Sequence, residues 1–323
     1  VRAKTASPAT EKPGVFKTKP RLFKVLTQFL LMERMIPEKT GFRNHPSELF
    51  NGLNEAQRKA VFCDISPILI AAGAGSGKTK TLVSRLVHLL NQGVRPDEII
   101  AITFTNKAAE EMARRLPTDR PPFIGTFHSL GFRILKSEAG VVGRNENFSI
   151  FDDDDSLKLI KNIVKKRGEL GEGAPAAELQ SEFSYFKNGL IDAREITAEN
   201  EAEEKKIAFF RSYEEKLKEN NAFDFDDLIE KVVRIFQKYP PILAKYQNKW
   251  KHILVDECQD VNRAQYELVK NLARENRSIF VIGDDNQAIY GFRHADFRHF
   301  LNFENDWKKA KVFLLEENYR SSR

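Results

Sequence analysis

Cysteine is nearly missing from this sequence: Cys63 and Cys258 are the only two in 323 residues. They stand far apart, and neither belongs to a metal or redox spacing. That excludes a disulfide framework and a thiolate metal centre. It also points to a reducing compartment, so a cytoplasmic location is expected. No histidine or carboxylate spacing suggests a metal cluster either. A membrane-length apolar run is absent too. The best candidate, Leu22 to Ile36, is interrupted by Lys24, Gln28, Glu33 and Arg34. It reads as an amphipathic helix stopped by Pro37, so no membrane partner is expected. The chain starts at Val1 rather than Met and ends Asn318-Tyr319-Arg320-Ser321-Ser322-Arg323 without a stop signal in its pattern. A piece of a longer protein is expected.

Neither charge sign is scarce. Lysine and arginine number 52 against 46 acidic residues, for a net charge of +6 and an isoelectric point near 9.1. This balance is compatible with a polyanionic partner and is weak evidence alone. Apolar residues make up 41% of the chain, enough for sizeable cores. The length predicts two or more domains or subdomains. Residues 1–46 read as an arm rich in Lys, Pro, Thr and Ala, followed by the amphipathic helix.

The most informative stretch is Ala72-Gly73-Ala74-Gly75-Ser76-Gly77-Lys78-Thr79. An apolar strand, Pro67 to Ala71, leads in, and a helical pattern, Lys80 to Leu90, leads out. A glycine-rich turn in that context lets backbone amides approach a phosphate chain at a helix N-terminus. Ala74, Gly75, Ser76 and Gly77 would cradle the phosphates, Lys78 would reach the β- and γ-phosphates, and the Thr79 hydroxyl would ligate Mg²⁺. The alternative is a glycine-rich turn that binds nothing. Upstream, Asn54 reads as a helix N-cap. Gln57 in the first turn offers a donor and an acceptor suited to an adenine edge, or is an ordinary surface glutamine.

A second strand, Glu98 to Phe104, runs into a helix starting near Thr105-Asn106-Lys107. Phe104 and Asn106 would emerge at the carboxyl edge of a sheet, where open α/β folds bind ligands. Phe104 is there either as core or as a stacking platform for a base. The strand Phe123 to Thr126 ends in polar groups. Thr126 and His128 can hold phosphates of a nucleic-acid strand, or His128 caps the helix that follows. Residues 137–221 are charged and strand-poor, and read as an inserted all-helical subdomain. Its run Asp152-Asp153-Asp154-Asp155 reads as a helix N-terminus rather than a metal site. Gly168 to Ala177 reads as a loop and Ile196 to Lys218 as a long charged helix.

Ala222 to Ile229 returns the chain to the main domain. The strand His252 to Val255 then ends in Asp256-Glu257-Cys258-Gln259-Asp260. Asp256 can hold Mg²⁺ and Glu257 can polarise an attacking water, the pair that metal-assisted nucleotide hydrolysis needs. A further strand, Ser278 to Gly283, precedes Asn286 to Arg293. Gln287 there can sense a γ-phosphate. Tyr290, Phe292 and Arg293 suit stacking on bases and contact with a single-stranded backbone.

In order, the motifs are LNEAQRKAV, AGAGSGKT, ITFTNKAAEEM, GTFHS, FDFDDLI, LVDECQD, VIGDDNQAIYGFR and LEENYRS. The chain resembles the superfamily 1 DNA helicases of the UvrD/Rep/PcrA type over about residues 50–323. The resemblance implies a RecA-like parallel α/β motor domain (47–136 and 222–323) that takes ATP and Mg²⁺. It also implies that 137–221 is an insertion contacting duplex DNA ahead of the tracked strand. By the same resemblance, Gln57 reads adenine and Tyr319 stacks on it. Lys78 and Thr79 hold phosphate and Mg²⁺, Asp256 helps hold the metal, and Glu257 is the catalytic base. Gln287 and Arg320 contact the γ-phosphate, while Phe104, Tyr290, Phe292 and Arg293 face single-stranded DNA. Lys80 stands at an adenine-side position where arginine is common, so planar stacking would be lost. Phe292 stands where tryptophan is usual, with a smaller stacking face. Cys258 replaces a usual aromatic.

The expected activity is ATP-driven helicase or translocase action on single-stranded DNA, 3′→5′ by resemblance, with single-strand/duplex junctions and repair or replication proteins as partners. The family continues into a second motor domain that this chain lacks, so weak nucleotide binding and poor turnover are expected of this piece. The alternatives are the ATPase part of a helicase–nuclease, a nucleotide-binding module without turnover, and an RNA-acting helicase.

Overall fold

The computed structural model describes residues 50–167, 176–192, 198–273, 278–284 and 303–317. These all fall in one compact unit, Ile36–Arg323. At its centre is a six-stranded sheet in the order β3-β2-β6-β7-β1-β8, with every neighbouring pair parallel. Its strands are β1 (Ile68–Ala72), β2 (Ile99–Thr103), β3 (Phe123–Thr126), β6 (His252–Val255), β7 (Ile279–Gly283) and β8 (Lys311–Leu315). Strands β2, β6 and β7 are buried at every residue. That is why they read as unbroken apolar runs rather than alternating ones: a parallel sheet is covered on both faces.

Around the sheet lie α1 (Glu55–Val61), α2 (Lys78–Asn91), α3 (Asn106–Arg115), α4 (Phe127–Glu138), α8 (Asp227–Lys238), α9 (Pro240–Lys249), α10 (Arg263–Ala273) and α11 (Phe303–Asp306). One core joins Ile68, Ile70, Leu82, Leu86, Ile99 and Ile282, all fully buried. The register sets Ala71 beside Gly283, Val255 beside Val281, and Thr103 beside Thr126. The chain therefore leaves several strands at one carboxyl edge. β1 lies between β7 and β8, away from β2, so the strand order reverses beside the glycine loop.

Between α4 and α8 the chain adds β4 (Ser149–Phe151), α5 (Asp153–Arg167), α6 (Ala176–Asn188), α7 (Glu201–Glu219) and β5 (Ala222–Asp224). These helices build a second cluster around Leu159, Phe183, Phe210, Tyr213 and Leu217. The all-helical reading of 137–221 is corrected by β4, which pairs in parallel with β5 at the exit of the stretch. Three residues are too few to show a strand period. The pairing forms because the chain leaves and rejoins the main body at neighbouring points. The aspartate run behaves as expected of a helix start: the Asp155 amide donates to Asp152 Oδ1 at 2.8 Å. The long charged helix starts at Glu201 rather than Ile196, because Asn200 caps it by accepting from the Glu203 amide. Ala176 and Ala177, read as loop, open α6. The amphipathic stretch 22–36 lies outside the described residues. Among those described, no helix is long and apolar enough to cross a membrane.

Candidate nucleotide and nucleic-acid site

The glycine loop occupies the turn from β1 to α2. Gly75 and Gly77 have φ of 80° and 85°, the left-handed region that glycine enters without steric cost. Gly77 is the N-cap of α2 and accepts from the Thr81 amide at 2.9 Å. Ser76 closes the turn by donating its amide (3.3 Å) and hydroxyl (2.7 Å) to the Gly73 carbonyl. The first-turn amides of α2 have no helical acceptor and carry the positive end of the helix dipole. Ala74 is exposed on the loop, and Thr79, half-buried, is the second residue of the helix.

Gln57 is not an ordinary surface glutamine. It is 1% exposed. Its Oε1 accepts from the Asn54 amide at 3.0 Å, and the Gln57 amide donates to Asn54 Oδ1 at 2.8 Å, a reciprocal cap on α1. Its Nε2 donates to the Ser76 carbonyl at 2.8 Å. A Cβ on Gly77 would lie 2.8 Å from that Nε2, so the glycine is also required for the close approach of α1 to the loop. Lys80 donates to the Gly52 carbonyl on the same side.

Lys78 Nζ lies 3.2 Å from Asp284 Oδ2 and 3.3 Å from Glu257 Oε2. Asp284 is 1% exposed, whereas the Glu257 side chain is 36% exposed. Gln259 knits the acidic turn together. Its Nε2 donates to Glu257 Oε2 at 3.0 Å and Asp260 Oδ2 at 3.1 Å, and its Oε1 accepts from the Asp284 amide at 2.9 Å. Glu257 has φ 51°, ψ 46°, a left-handed conformation costing a non-glycine residue about 1 kcal/mol or more. Asp256 accepts from the Glu257 amide at 3.1 Å. Burial, with the Glu257 charge beside it, pushes the Asp256 carboxyl up to about 7. Burial, then the Asp256 and Glu257 charges, push the half-buried Cys258 thiol upward, which keeps it protonated and unreactive.

Among the described residues no three His, Cys, Asp or Glu side chains form a metal-binding group. The donor set still suits a hard cation. A hydroxyl and a single aspartate are what Mg²⁺ uses when phosphates and water fill its other positions. The raised Asp256 carboxyl fits a group that needs a cation to stay ionised.

A groove of roughly 290 Å³ lies along the carboxyl edge, lined by Phe104, Phe127 and His128, by Ser184, Asn188 and Asp226, and by Asp260, Asn262 and Gln265 from the acidic turn and the start of α10. Phe104 meets Phe127 edge to face at 6.1 Å and is half-buried, so it is neither fully core nor fully exposed. Asn106 Oδ1 is buried without a donor among the described residues. Thr126, not His128, caps α4, accepting from the Ser129 amide at 3.2 Å. The His128 ring packs edge-on against Phe225. Gln287, Tyr290, Phe292, Arg293, Tyr319 and Arg320 lie outside the described residues. Sequence reading missed the roles of Asp284 and Gln259. The available signal for Asp284 was its place directly after a buried apolar strand.

A family profile described as the UvrD/REP helicase N-terminal domain matches residues 53–308. A Bacillus subtilis protein named ATP-dependent DNA helicase PcrA is 41% identical over 285 residues, covering 86% of this chain and 39% of the relative. Proteins of the same name from Staphylococcus epidermidis and Staphylococcus aureus are 40% identical over 283 and 284 residues, covering 85% of this chain and 39% of each relative. The chain thus spans about two-fifths of the length of these curated relatives.

Proposed function

Because the chain belongs to the UvrD/REP helicase family, we propose that it binds ATP at the glycine loop and couples hydrolysis to movement on single-stranded DNA. The observation that carries this reading is Lys78 poised between Glu257 and Asp284, at the mouth of a loop whose glycines take left-handed angles. A cation held at 3.2–3.3 Å by two carboxylates is available to phosphate oxygens when they arrive. Residues 74–79 cradle the phosphates. Gln57 fixes the loop carbonyl and presents its remaining amide proton toward the adenine side, where Lys80 also stands. Thr79 and Asp256 hold Mg²⁺, which when bound offsets the negative charge of the phosphates. Glu257 accepts a proton from the attacking water, and its strained backbone aims the carboxylate.

The groove carries the strand, with Phe104 stacking on a base and Asn106, Thr126 and His128 contacting the backbone. The family assignment extends this reading to Tyr319 at the adenine, Gln287 and Arg320 at the γ-phosphate, and Tyr290, Phe292 and Arg293 on DNA. Residues 47–136 and 222–323 act as the motor domain, and 137–221 act as an insertion facing duplex at a junction. Polarity is 3′→5′, the setting is cytoplasmic, and repair or replication proteins are the partners. The relatives' printed name, ATP-dependent DNA helicase, supports helicase over helicase–nuclease.

The test is ATP hydrolysis with and without single-stranded DNA, beside Glu257→Gln. Both proteins should bind Mg·ATP. Turnover by this chain alone should be slow with or without DNA, and should fall further, by up to roughly 10²- to 10⁴-fold, in the variant, the usual worth of a general base. A variant that hydrolyses ATP like the wild type, or a wild type that binds no nucleotide, defeats the reading.

A further inference from the structure

The strands begin at the amino edge of the sheet, away from the glycine loop and the groove. β3 begins at Phe123, β2 at Ile99 and β6 at His252, and β2 lies between the other two. Cations gather over this edge. Arg133, on the later turns of α4, lies over the Phe123 ring at 5.5 Å. On α9, which leads into β6, Lys245 lies over Tyr246 at 5.2 Å and Lys249 over Trp250 at 5.3 Å. All three cations are exposed, while the Tyr246 and Trp250 rings are buried. Arg120, also exposed, stands just before the start of β3.

These charges are poorly matched by acids. Lys245 pairs with Glu138 Oε1 at 2.7 Å, but that oxygen also accepts from the Tyr246 hydroxyl at 2.9 Å. Nearby, Lys251 takes Glu98 at 2.6 Å. Among the described residues no ion pair joins Arg133 or Lys249 to a carboxylate. Lys245 and Lys249 are like charges four apart on one helix, an arrangement that repels. Burial, then Arg133, then Lys245 pull the Lys249 ammonium below its ordinary value, and Asp97 opposes them least. Cations crowded in this way are stabilised by an incoming anion.

We propose that Arg133, Lys245 and Lys249 form a second polyanion surface, one that takes the phosphate backbone of a nucleic acid outside the groove. Protein partners are held by apolar and aromatic anchors. Among the described residues α4 and α9 expose no large apolar side chain. Charge without an apolar anchor is what backbone contact uses, and it reads no base. This goes beyond the ATP and groove reading and does not rest on it. The groove residues Phe104 and His128 lie at the opposite edge. Single strand and duplex offer the same phosphates, and the test separates them.

The whole chain is compared with Arg133→Gln/Lys249→Gln and with the charge-keeping pair Arg133→Lys/Lys249→Arg. Lys245 is left in place so that Glu138 keeps its partner. Affinity for a labelled blunt duplex and for labelled oligo-dT is measured from roughly 50 to 200 mM salt. The slope of log affinity against log salt counts the phosphates neutralised. In the glutamine pair it should shrink by about 1.8 on duplex or about 1.4 on oligo-dT. Affinity at the lowest salt should fall roughly tenfold. The charge-keeping pair should follow the wild type. Neither pair should change the affinity for a fluorescent ATP analogue. A loss confined to one nucleic acid names it as the source of the phosphates and supports the surface. An unchanged slope on both overturns it, as does a wild type that binds neither. So does a charge-keeping pair that loses as much as the glutamine pair. Charge-matched polyglutamate that displaces the label as well as unlabelled DNA does would make an acidic protein the partner, and also overturns it. Phe104→Ala tests the groove instead: it should weaken oligo-dT without changing the salt slope, so the two readings fail separately.

Discussion

Two places in this molecule gather a lysine among carboxylates, and they are built oppositely. At the glycine loop, Lys78 sits 3.2–3.3 Å from two carboxylates, one of them 36% exposed. In the other, where α6, α7, β5 and α8 meet, Lys187 lies 2.8, 2.6 and 2.8 Å from Glu214, Asp224 and Asp227. Lys231 closes on Glu214, Glu230 and Asp227 from the far side, and Tyr213 donates to Asp224 at 2.9 Å. Burial alone would lower Lys187, but Asp224, Asp227 and Glu214 outweigh it and hold the ammonium well above its ordinary value. The second cluster has more charge and more burial, its most exposed carboxylate, Glu214, being 24% exposed, and among the described residues it has no left-handed glycine loop and no strained acid. Charge density by itself does not mark the reactive site. Loose pairing, an approach path and backbone strain do.

The sharpest way to break this comparison is to remove each lysine. Lys187→Met leaves carboxylates buried without their cation and should cost about 3–5 kcal/mol in urea unfolding. Lys78→Met should cost no more than about 1–2 kcal/mol, the price of one weakened buried partner, while abolishing nucleotide binding. Equal costs would mean that Lys78 is also a structural charge.

A smaller effect separates two of the acids of the closed cluster, Asp227 and Glu214, by pH. Burial, then the Asp224 charge, push Asp227 up to about 7. An unfolded aspartate titrates near 3.9. Between about pH 4 and 7 the folded chain therefore holds a proton that the unfolded chain has released, so Asp227's contribution is full below that window and is lost as pH rises through it. Glu214 works in the other direction. Burial would raise it, but Lys187 and Lys231 hold it far below its usual range, so its contribution is lost only as pH falls below about 4.5. His88 and His252, lowered by burial, also favour higher pH. Subtracting an Asp227→Asn variant from the wild type isolates the Asp227 share. The wild type should lose stability relative to the variant from pH 5 to 7, by at most about 1.4 kcal/mol per pH unit. A flat difference would mean that Asp227 stays ionised throughout.

The open site was largely legible in the sequence, and the closed one was not. The glycine loop is a local signal: positive φ at Gly75 and Gly77 and the flanking strand and helix lie within about a dozen residues. The sheet strands announced themselves as apolar runs because both faces are covered. The closed cluster has no local signature. Lys187 reaches Asp224 and Asp227 across 37 and 40 residues, and the FDFDDLI stretch reads only as a return to the main body. Lys78 and Asp284 are 206 residues apart, so Asp284 carried no sign of its partner. Gln57 was half-legible: its spacing from Asn54 gives the cap, but nothing local points to the Ser76 carbonyl.

The smallest expected effect concerns what lies behind the open site. The closed cluster is backed by packed aromatics such as Phe183, Phe210 and Tyr213. The acidic turn is backed by a small apolar cavity of about 20 Å³ whose walls include Cys258, Val255, Val261, Tyr266 and Trp307. Cys258, a small side chain, forms part of its wall. Room for about one methyl-sized group should let Cys258→Leu gain about 1 kcal/mol, read as a rise of about 2 °C in the thermal midpoint. Stiffening the turn should leave the left-handed Glu257 in place, so turnover should not fall. A loss of about 1–3 kcal/mol instead would be the signature of overpacking. The turn would then be as tightly backed as the closed cluster, and the difference between the two sites would lie in their charges and opening alone.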